Sequence, residues 1–459
     1  MALFLQRAAG GQRNHRFLPA LVPVSCRLRP AGLGLRCALP GHCGAAHRRG
    51  PICLQDLKGL AALRSVLLAA LLTPALAAAT PDPADWEAVL EEARGQTVYW
   101  HAWGGSTTTN DFIAWVGRRV AEDHGVTLSH VKLTDTADAV TRVLAERAAG
   151  QDTDGAVDLI WINGANFASM KAENLLFGPF AFDLPNWSLV DVAGKTVTTD
   201  FTLPTDGYES PWAMAQVVFM YDTADLPEAL PSMPEILDWA ADNPGRFTYP
   251  QPPDFLGTTF LKQALIDLLD DPSVLSQPVE DVDYAAVSAP LWAYLDALTP
   301  HLWREGRAYP QSGPRQLQLM NDEEIDLAIS FSPGEASTAI ANFQLPDTVR
   351  TFVLDKGTIG NASFVAIPHN SGAKAGAMVV ADFLLSPEAQ VRAQDPEILG
   401  YGTVLDLAAL SGADRAAFDS LTLGPATLPP EALGAVQDEP HPSWAAALAA
   451  DWQERYGNR

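Results

Sequence analysis

The chain beyond residue 79 predicts an α/β fold of two lobes joined by a hinge, on three observations. Between Thr97 and Phe167 the pattern alternates strand and helix three times, which favours a largely parallel, right-handed sheet. A strand from Ser210 to Tyr221 then leads into a second, separate alternation. The 380 residues concerned are too many for one small core.

The first 56 residues hold all four cysteines (Cys26, Cys37, Cys43, Cys53) and are dense in Arg, Pro and Gly, without a period that buries a face. Residues 57–79 follow with Lys58 and Arg64, an apolar run from Val66 to Leu72 and small residues to Ala79. Basic start, short apolar core and small exit make a secretory signal, too short for a well-flanked membrane span. Cleavage is expected near Ala79, with no folded domain before Pro81. A signal belongs at the start of a product, so either translation begins near Leu57 or residues 1–56 are a long basic leader. The alternative is a buried helix over Val66 to Leu76 behind a disordered arm.

The first 79 residues carry ten of the 30 Lys and Arg but one acidic residue, Asp56, so the remainder has 20 basic against 54 acidic groups, a formal charge of −34. Such a surface repels nucleic acid and anionic membranes and favours a cationic ligand over a polyanion. The remainder has no cysteine, which excludes disulfides, thiolate metal sites and cysteine nucleophiles.

Pro81 to Arg94 has the pattern of a helix carrying Trp86, Val89 and Leu90. Thr97 to Trp103 is a short buried strand ending at Gly104-Gly105; Ser106, Thr107 and Thr108 then open a helix with Phe112, Trp115 and Val116 on one face. Such a loop presents free N–H groups and a positive dipole end beyond the strand's carboxyl edge. Val126 to Leu133 is the second strand, Ala137 to Ala149 its helix, and Val157 to Ile162 the third strand, ending in Asn163-Gly164-Ala165-Asn166-Phe167. The loops after Trp103 and Ile162 are expected on the same sheet edge. Leu175 to Thr205, punctuated by Pro179, Pro185 and Pro204, is irregular: a cleft lining or an ordinary connector.

In the second lobe, Met233 to Ala241 is a helix, Arg246 to Pro250 a short strand, and Gly257 opens a helix through Leu269 with Thr258 or Thr259 available as a hydroxyl cap. A longer helix covers Tyr284 to Leu298. Leu317 to Asp322, Asp326 to Phe331 and Arg350 to Leu354 alternate in short runs, and the turn Ser332-Pro333-Gly334-Glu335 opens another helix. Ile359 to Pro368 is the return strand, Lys374 to Leu385 an amphipathic helix, and the tail with Trp444 and Trp452 packs on the outside of a lobe. The expected organisation is 80–211 for the first part of lobe 1, 212–358 for lobe 2, and 359–459 for the return to lobe 1 and the C-terminal helices. The sequence has no internal repeat and no coiled coil.

The strand ending Ala102-Trp103-Gly104-Gly105-Ser106, the segment Asp158-Leu159-Ile160-Trp161-Ile162-Asn163-Gly164 and the late helix Ala381-Asp382-Phe383-Leu384-Leu385-Ser386-Pro387-Glu388-Ala389-Gln390 together resemble the extracellular solute-binding proteins of bacterial ABC transporters. The late helix is a mark of the whole superfamily, specific for fold. The two tryptophan segments narrow it to the YnjB-like branch, near the thiamine, iron and sulfate binders, and the resemblance spans Gln96 to Tyr401. It implies a type II periplasmic-binding-protein-like fold with two hinged α/β lobes, a small-molecule solute caught between them, a permease and an ATPase as partners, and a periplasmic or secreted monomer without a cofactor. By position, the family's contact loops fall at Trp103 to Thr107, Asn163 to Phe167, around Trp212, Gly257 to Thr259, and Ser332 to Glu335.

The candidate ligand-binding residues are therefore Trp103, Gly104, Gly105, Ser106, Thr107, Trp161, Asn163, Asn166, Trp212, Thr258, Ser332 and Glu335. Each has a plainer role beside the functional one. The two glycines permit a tight turn, and one of the hydroxyls caps a helix. Trp103 and Trp161 end strands, where core residues also sit; Trp212, after a proline, has the more exposed pattern. Asn163 is suited to closing its own loop, and Glu335 to favouring a helix N-terminus.

No two tyrosines are adjacent, which disfavours the ferric binders' hard-oxygen site. An oxyanion or a metal remains an alternative: an oxyanion could sit on the N–H groups of two facing helix starts without any charged side chain. The preferred ligand is an aromatic or quaternary cation, thiamine-like, against Trp103, Trp161 or Trp212 and balanced by Asp or Glu. As an enzyme the chain offers little. His101, His124, His130, His301, His369 and His441 have no metalloprotease or structural-zinc spacing, and no nucleophile elbow or phosphate loop occurs. Ser371 beside His369 is the one pair that invites a hydrolase. A ligand sensor of the same fold is the third alternative.

Overall fold

The computed structural model describes residues 81–429 and 432–457; the expected leader and signal lie outside the described residues. Helix α1 (Trp86–Ala93) starts at Asp85, whose carboxylate accepts from Ala88 N–H, and buries Val89 and Ala93. Strand β1 (Thr97–Trp103), helix α2 (Thr107–His124), strand β2 (Thr127–Leu133), helix α3 (Ala137–Ala148), strand β3 (Leu159–Ile162) and helix α4 (Ala165–Ala172) follow in alternation. β1 lies between β3 and β2 and is parallel to both, with Trp100 opposite Leu159 and Trp103 opposite Leu133. The loops after β1 and β3 therefore leave one sheet edge side by side. Phe112, Ile113, Val116 and Val120 repeat at helical spacing on α2 and are buried.

The proline-punctuated stretch forms two 3₁₀ turns, Ala181–Asp183 and Pro185–Leu189, and then a small hairpin of β4 (Thr199–Asp200) and β5 (Leu203–Pro204). The single strand expected from Ser210 to Tyr221 is two, β6 (Glu209–Gln216) and β7 (Val218–Asp222). The break is the crossing itself: Trp212 and Ala213 belong to one core and Val217 and Phe219 to another.

The second lobe holds α5 (Met233–Asp242), α6 (Phe255–Leu268), α7 (Tyr284–Leu298), α8 (Gly313–Asn321), β8 (Leu327–Ser330), α9 (Glu335–Ala341) and β9 (Val349–Phe352), with the antiparallel sheet β8-β7-β9. Three expectations are corrected here. Leu317 to Asp322 is helical, because Pro314 starts α8 and Gln316, Leu319 and Met320 share its buried face. Arg246 to Pro250 makes only one bridge, Phe247 to Leu327. α6 begins earlier than expected and is capped by Asp254, while the Thr259 hydroxyl donates to Phe255 C=O at 2.8 Å.

β10 (Thr358–Ala366) returns through the hinge, with Ile359 in the second core and Ala362 and Phe364 in the first. It is antiparallel to β3 and β6. Helices α10 (Lys374–Leu384), α11 (Pro387–Gln394) and α12 (Gly412–Asp419) follow, then the short β11 (Val436–Gln437) beside Thr358 and Ile359 and finally α13 (Ser443–Arg455). α13 packs on the second lobe with one face, and its Trp444 and Trp452, 0 % exposed, complete that lobe's core. The Trp452 indole donates to the Tyr249 hydroxyl at 2.9 Å.

Candidate functional site

The loop after β1 is shaped by close approach. Gly104 N–H donates to Leu133 C=O at 2.9 Å, and a Cβ on Gly104 would stand 2.6 Å from Lys132 Cβ. A Cβ on Gly105 would stand 2.4 Å from the Trp103 ring, so the half-buried indole lies across that glycine. Ser106 caps α2, accepting from Thr109 N–H at 3.4 Å and pairing with the Thr108 hydroxyl at 2.8 Å; Thr107 is exposed.

The loop after β3 is turned toward the hinge. The Asn163 amide donates to Ala362 C=O at 2.7 Å and to Asp200 at 3.3 Å. Gly164, at φ +56, donates its N–H to Asp200 at 2.6 Å. Burial pushes the Asp200 carboxyl up to about 7, opposed by those two donors. Asn163 therefore has its amide nitrogen committed, and Asn166 is half-buried in the first turn of α4.

Trp212 is corrected from the more exposed tryptophan to a core one, 1 % exposed. Proline 211 lies inside β6, so the strand carries the indole inward among Trp100 (6.3 Å between ring centroids), Phe112 (6.0 Å), Trp161 (4.8 Å) and Tyr401 (5.8 Å). Trp161 is half-buried at the edge of this cluster. Thr258 is likewise inside, at 7 % exposed.

From the second lobe, Ser332 and Glu335 reach the first. The Gly334 backbone meets that of Gly400, and the Thr338 hydroxyl donates to Pro396 C=O at 2.6 Å. Ser330 Oγ donates to the Glu335 carboxyl, which burial pushes up. Burial pushes the Tyr401 hydroxyl up to about 12, and the Glu335 charge adds to it. Ser332 Oγ is buried without a hydrogen-bond partner.

Four residues of this face escaped the sequence reading. Asp254 accepts from Leu256 N–H at 3.0 Å and Gly257 N–H at 3.2 Å; burial raises its pKa, and Asp135 from the first lobe raises it further. Asp135 caps α3 through Ala137 N–H at 2.8 Å. Phe255 is 51 % exposed and meets Phe331 edge-on at 5.3 Å between centroids. A cap signal at Asp254 and an aromatic directly before Ser332 were the only local hints.

At the starts of α2, α3 and α6, Ser106 accepts from Thr109 N–H, Asp135 from Ala137 N–H and Asp254 from Leu256 and Gly257 N–H, while Asp200 meets the N–H of Gly164 just ahead of α4. Three of these acceptors are acidic side chains, which disfavours an oxyanion beside them. Among the described residues no group of three or more His, Cys, Asp or Glu is placed to hold a metal ion, and no helix is long and apolar enough to cross a membrane. Ser371 donates to Asp158 at 2.7 Å, while the His369 ring faces Asp152 at 3.6 Å, so the adjacent pair does not form a nucleophile and base.

Residues 114–418 match the family described as bacterial extracellular solute-binding protein. The chain belongs to that family. It is 44 % identical over 373 residues to protein YnjB of Escherichia coli strain K12, covering 81 % of this chain and 94 % of the relative. Among solved structures it is similar to the periplasmic binding protein AfuA of Actinobacillus pleuropneumoniae with fructose-6-phosphate bound: TM-score 0.56, 13 % identity, 79 % of this chain and 99 % of that one. A putative spermidine/putrescine ABC transporter protein from Listeria monocytogenes gives TM-score 0.53 at 17 % identity, over 78 % of this chain and 98 % of that one. The ferric binding protein of Campylobacter jejuni gives 0.53 at 13 % identity, with the same coverage of both chains. These likenesses establish the two-lobed fold. The solute-binding family is extracytoplasmic, in keeping with a periplasmic place for this chain.

Proposed function

We propose that this solute-binding protein closes its lobes on a small organic cation, aromatic or quaternary and thiamine-like, and delivers it to an ABC permease and ATPase. The observation that carries the reading is the pair of carboxylates Asp135 and Asp254, which come from different lobes close enough for one to act on the other, each accepting an N–H at a helix start. The pair brings negative charge together from both lobes, with the exposed ring of Phe255 directly after Asp254 and the half-buried rings of Trp103 and Trp161 at the ends of their strands. A cation gains from both carboxylate and ring face. A phosphorylated sugar such as AfuA holds is disfavoured by the same residues. Closure by a hinge converts capture into a surface change that a permease reads.

Native mass spectrometry of protein purified gently from its own cells tests the reading, with the released molecule identified after denaturation. A stoichiometric organic cation that rebinds one to one is the expected result. A stoichiometric sugar phosphate, oxyanion or metal would overturn the cation reading and leave the family assignment in place.

A further inference from the structure

Lys262 on α6 is 2 % exposed, and its ammonium lies 2.5 Å from Glu439, whose side chain is 1 % exposed. Glu439 also accepts from the Asn361 amide at 3.0 Å, on the return strand β10. The same ammonium stands 4.7 Å from the centroid of the Phe201 ring and 5.8 Å from that of Phe255. Phe201 sits at the tip of the β4–β5 hairpin of the first lobe with φ +53, a conformation disfavoured for a bulky side chain. Its ring packs on Gly164, where a Cβ would stand 2.6 Å from it. One buried cation therefore touches the second lobe, the hinge and, through Phe201, the loop after β3 in the first lobe.

A buried ion pair contributes little net stability over an apolar pair of similar volume, and its better-attested use is to fix one arrangement. The positive φ of Phe201 belongs to the two-residue turn between β4 and β5, and that turn aims the ring at Lys262 and Gly164.

We propose that Lys262 and Phe201 are positioning residues for lobe closure. Glu439 and Asn361 hold the ammonium still, and the Phe201 face on it, already in place without a solute, holds the lobes toward the closed arrangement. The contact sets how far the Asn163-Gly164 loop approaches the Asp254-Phe255 end of α6, and so tunes solute affinity. This rests on the reading that the lobes close on a solute, and not on the solute being a cation.

The test uses the purified full chain and its Phe201→Leu, Phe201→Tyr, Lys262→Met and Lys262→Met/Glu439→Gln variants. It measures the solute-free radius of gyration by X-ray scattering, the melting temperature, and calorimetric affinity with thiamine as the probe. Lys262→Met lowers the melting temperature because Glu439 is left buried and alone, and the double variant recovers most of that loss. Phe201→Leu and the double variant both scatter as more open molecules and bind thiamine about tenfold more weakly, while Phe201→Tyr, which keeps the ring face, behaves as the parent. A Phe201→Leu protein with the parent's radius of gyration would overturn the proposal, whatever the double variant does. If the parent ignores thiamine, the cation reading falls and the scattering comparison still decides.

Discussion

At the rear of the interlobe junction Lys262 and Glu439 are opposite charges, both almost fully buried. On its open side Asp135 and Asp254 are like charges brought toward each other from different lobes, next to a Phe255 ring that is half exposed. The rear pair is satisfied without a ligand, whereas among the described residues Asp135 and Asp254 form no salt bridge. The difference teaches where to look for recognition: residues whose charges are satisfied hold the hinge, and those left with unpaired carboxylates are the ones the proposed cationic solute would complete.

The largest expected effect breaks the rear. Glu439→Ala strands the Lys262 ammonium in the interior and is expected to cost about 3–5 kcal/mol in urea unfolding. The next sharpens the account of buried carboxyls beside the hinge. Asp200 is raised by burial from 3.8 to about 7, so between those pH values the folded chain keeps a proton that the unfolded chain has lost. Stability therefore falls as pH rises through that window and levels off above it. Asp200→Asn removes its share of the slope in unfolding measured from pH 4 to 7; Glu209 and Asp382, also raised by burial, retain theirs with the same sign.

On the open side the effects move from stability to affinity. Trp103→Ala and Phe255→Ala are each expected to weaken binding of a thiamine probe about tenfold, while unfolding free energy changes by less than ~1 kcal/mol. Equal losses of affinity and stability would erase the distinction between the two sides. The smallest effect is Ser106→Ala, which removes the cap of α2 and is expected to cost ~1 kcal/mol or less in thermal unfolding.

The fold was legible because its signals are local. Alternating strand and helix periods from Thr97 to Phe167, and the amphipathic Lys374 to Leu384, need no distant partner to be recognised. The site was legible only as loops. Trp103 and Trp212 look alike in sequence, yet one lies across Gly105 at the surface and the other fills the core, because β6 crosses the hinge beside β10 and points its ring inward. Thr258 and Thr259 offered hydroxyl caps, but Asp254, just upstream, won the position with a carboxylate that accepts two N–H groups. The rear network lay beyond local reach: Lys262 and Glu439 are 177 residues apart, and Asn163 and Ala362 are 199 apart. Nothing in the residues around Lys262 marks it as buried.

The most direct test of the central claim is a paired calorimetric titration of the protein, first emptied of any bound molecule, with thiamine and with fructose 6-phosphate. One-to-one binding of thiamine, weakened in Trp103→Ala and absent for the sugar phosphate, is the result this account predicts. Binding of the sugar phosphate with no heat from thiamine would contradict it, and would mean that N–H groups at the helix starts, not the carboxylates Asp135 and Asp254, meet the solute.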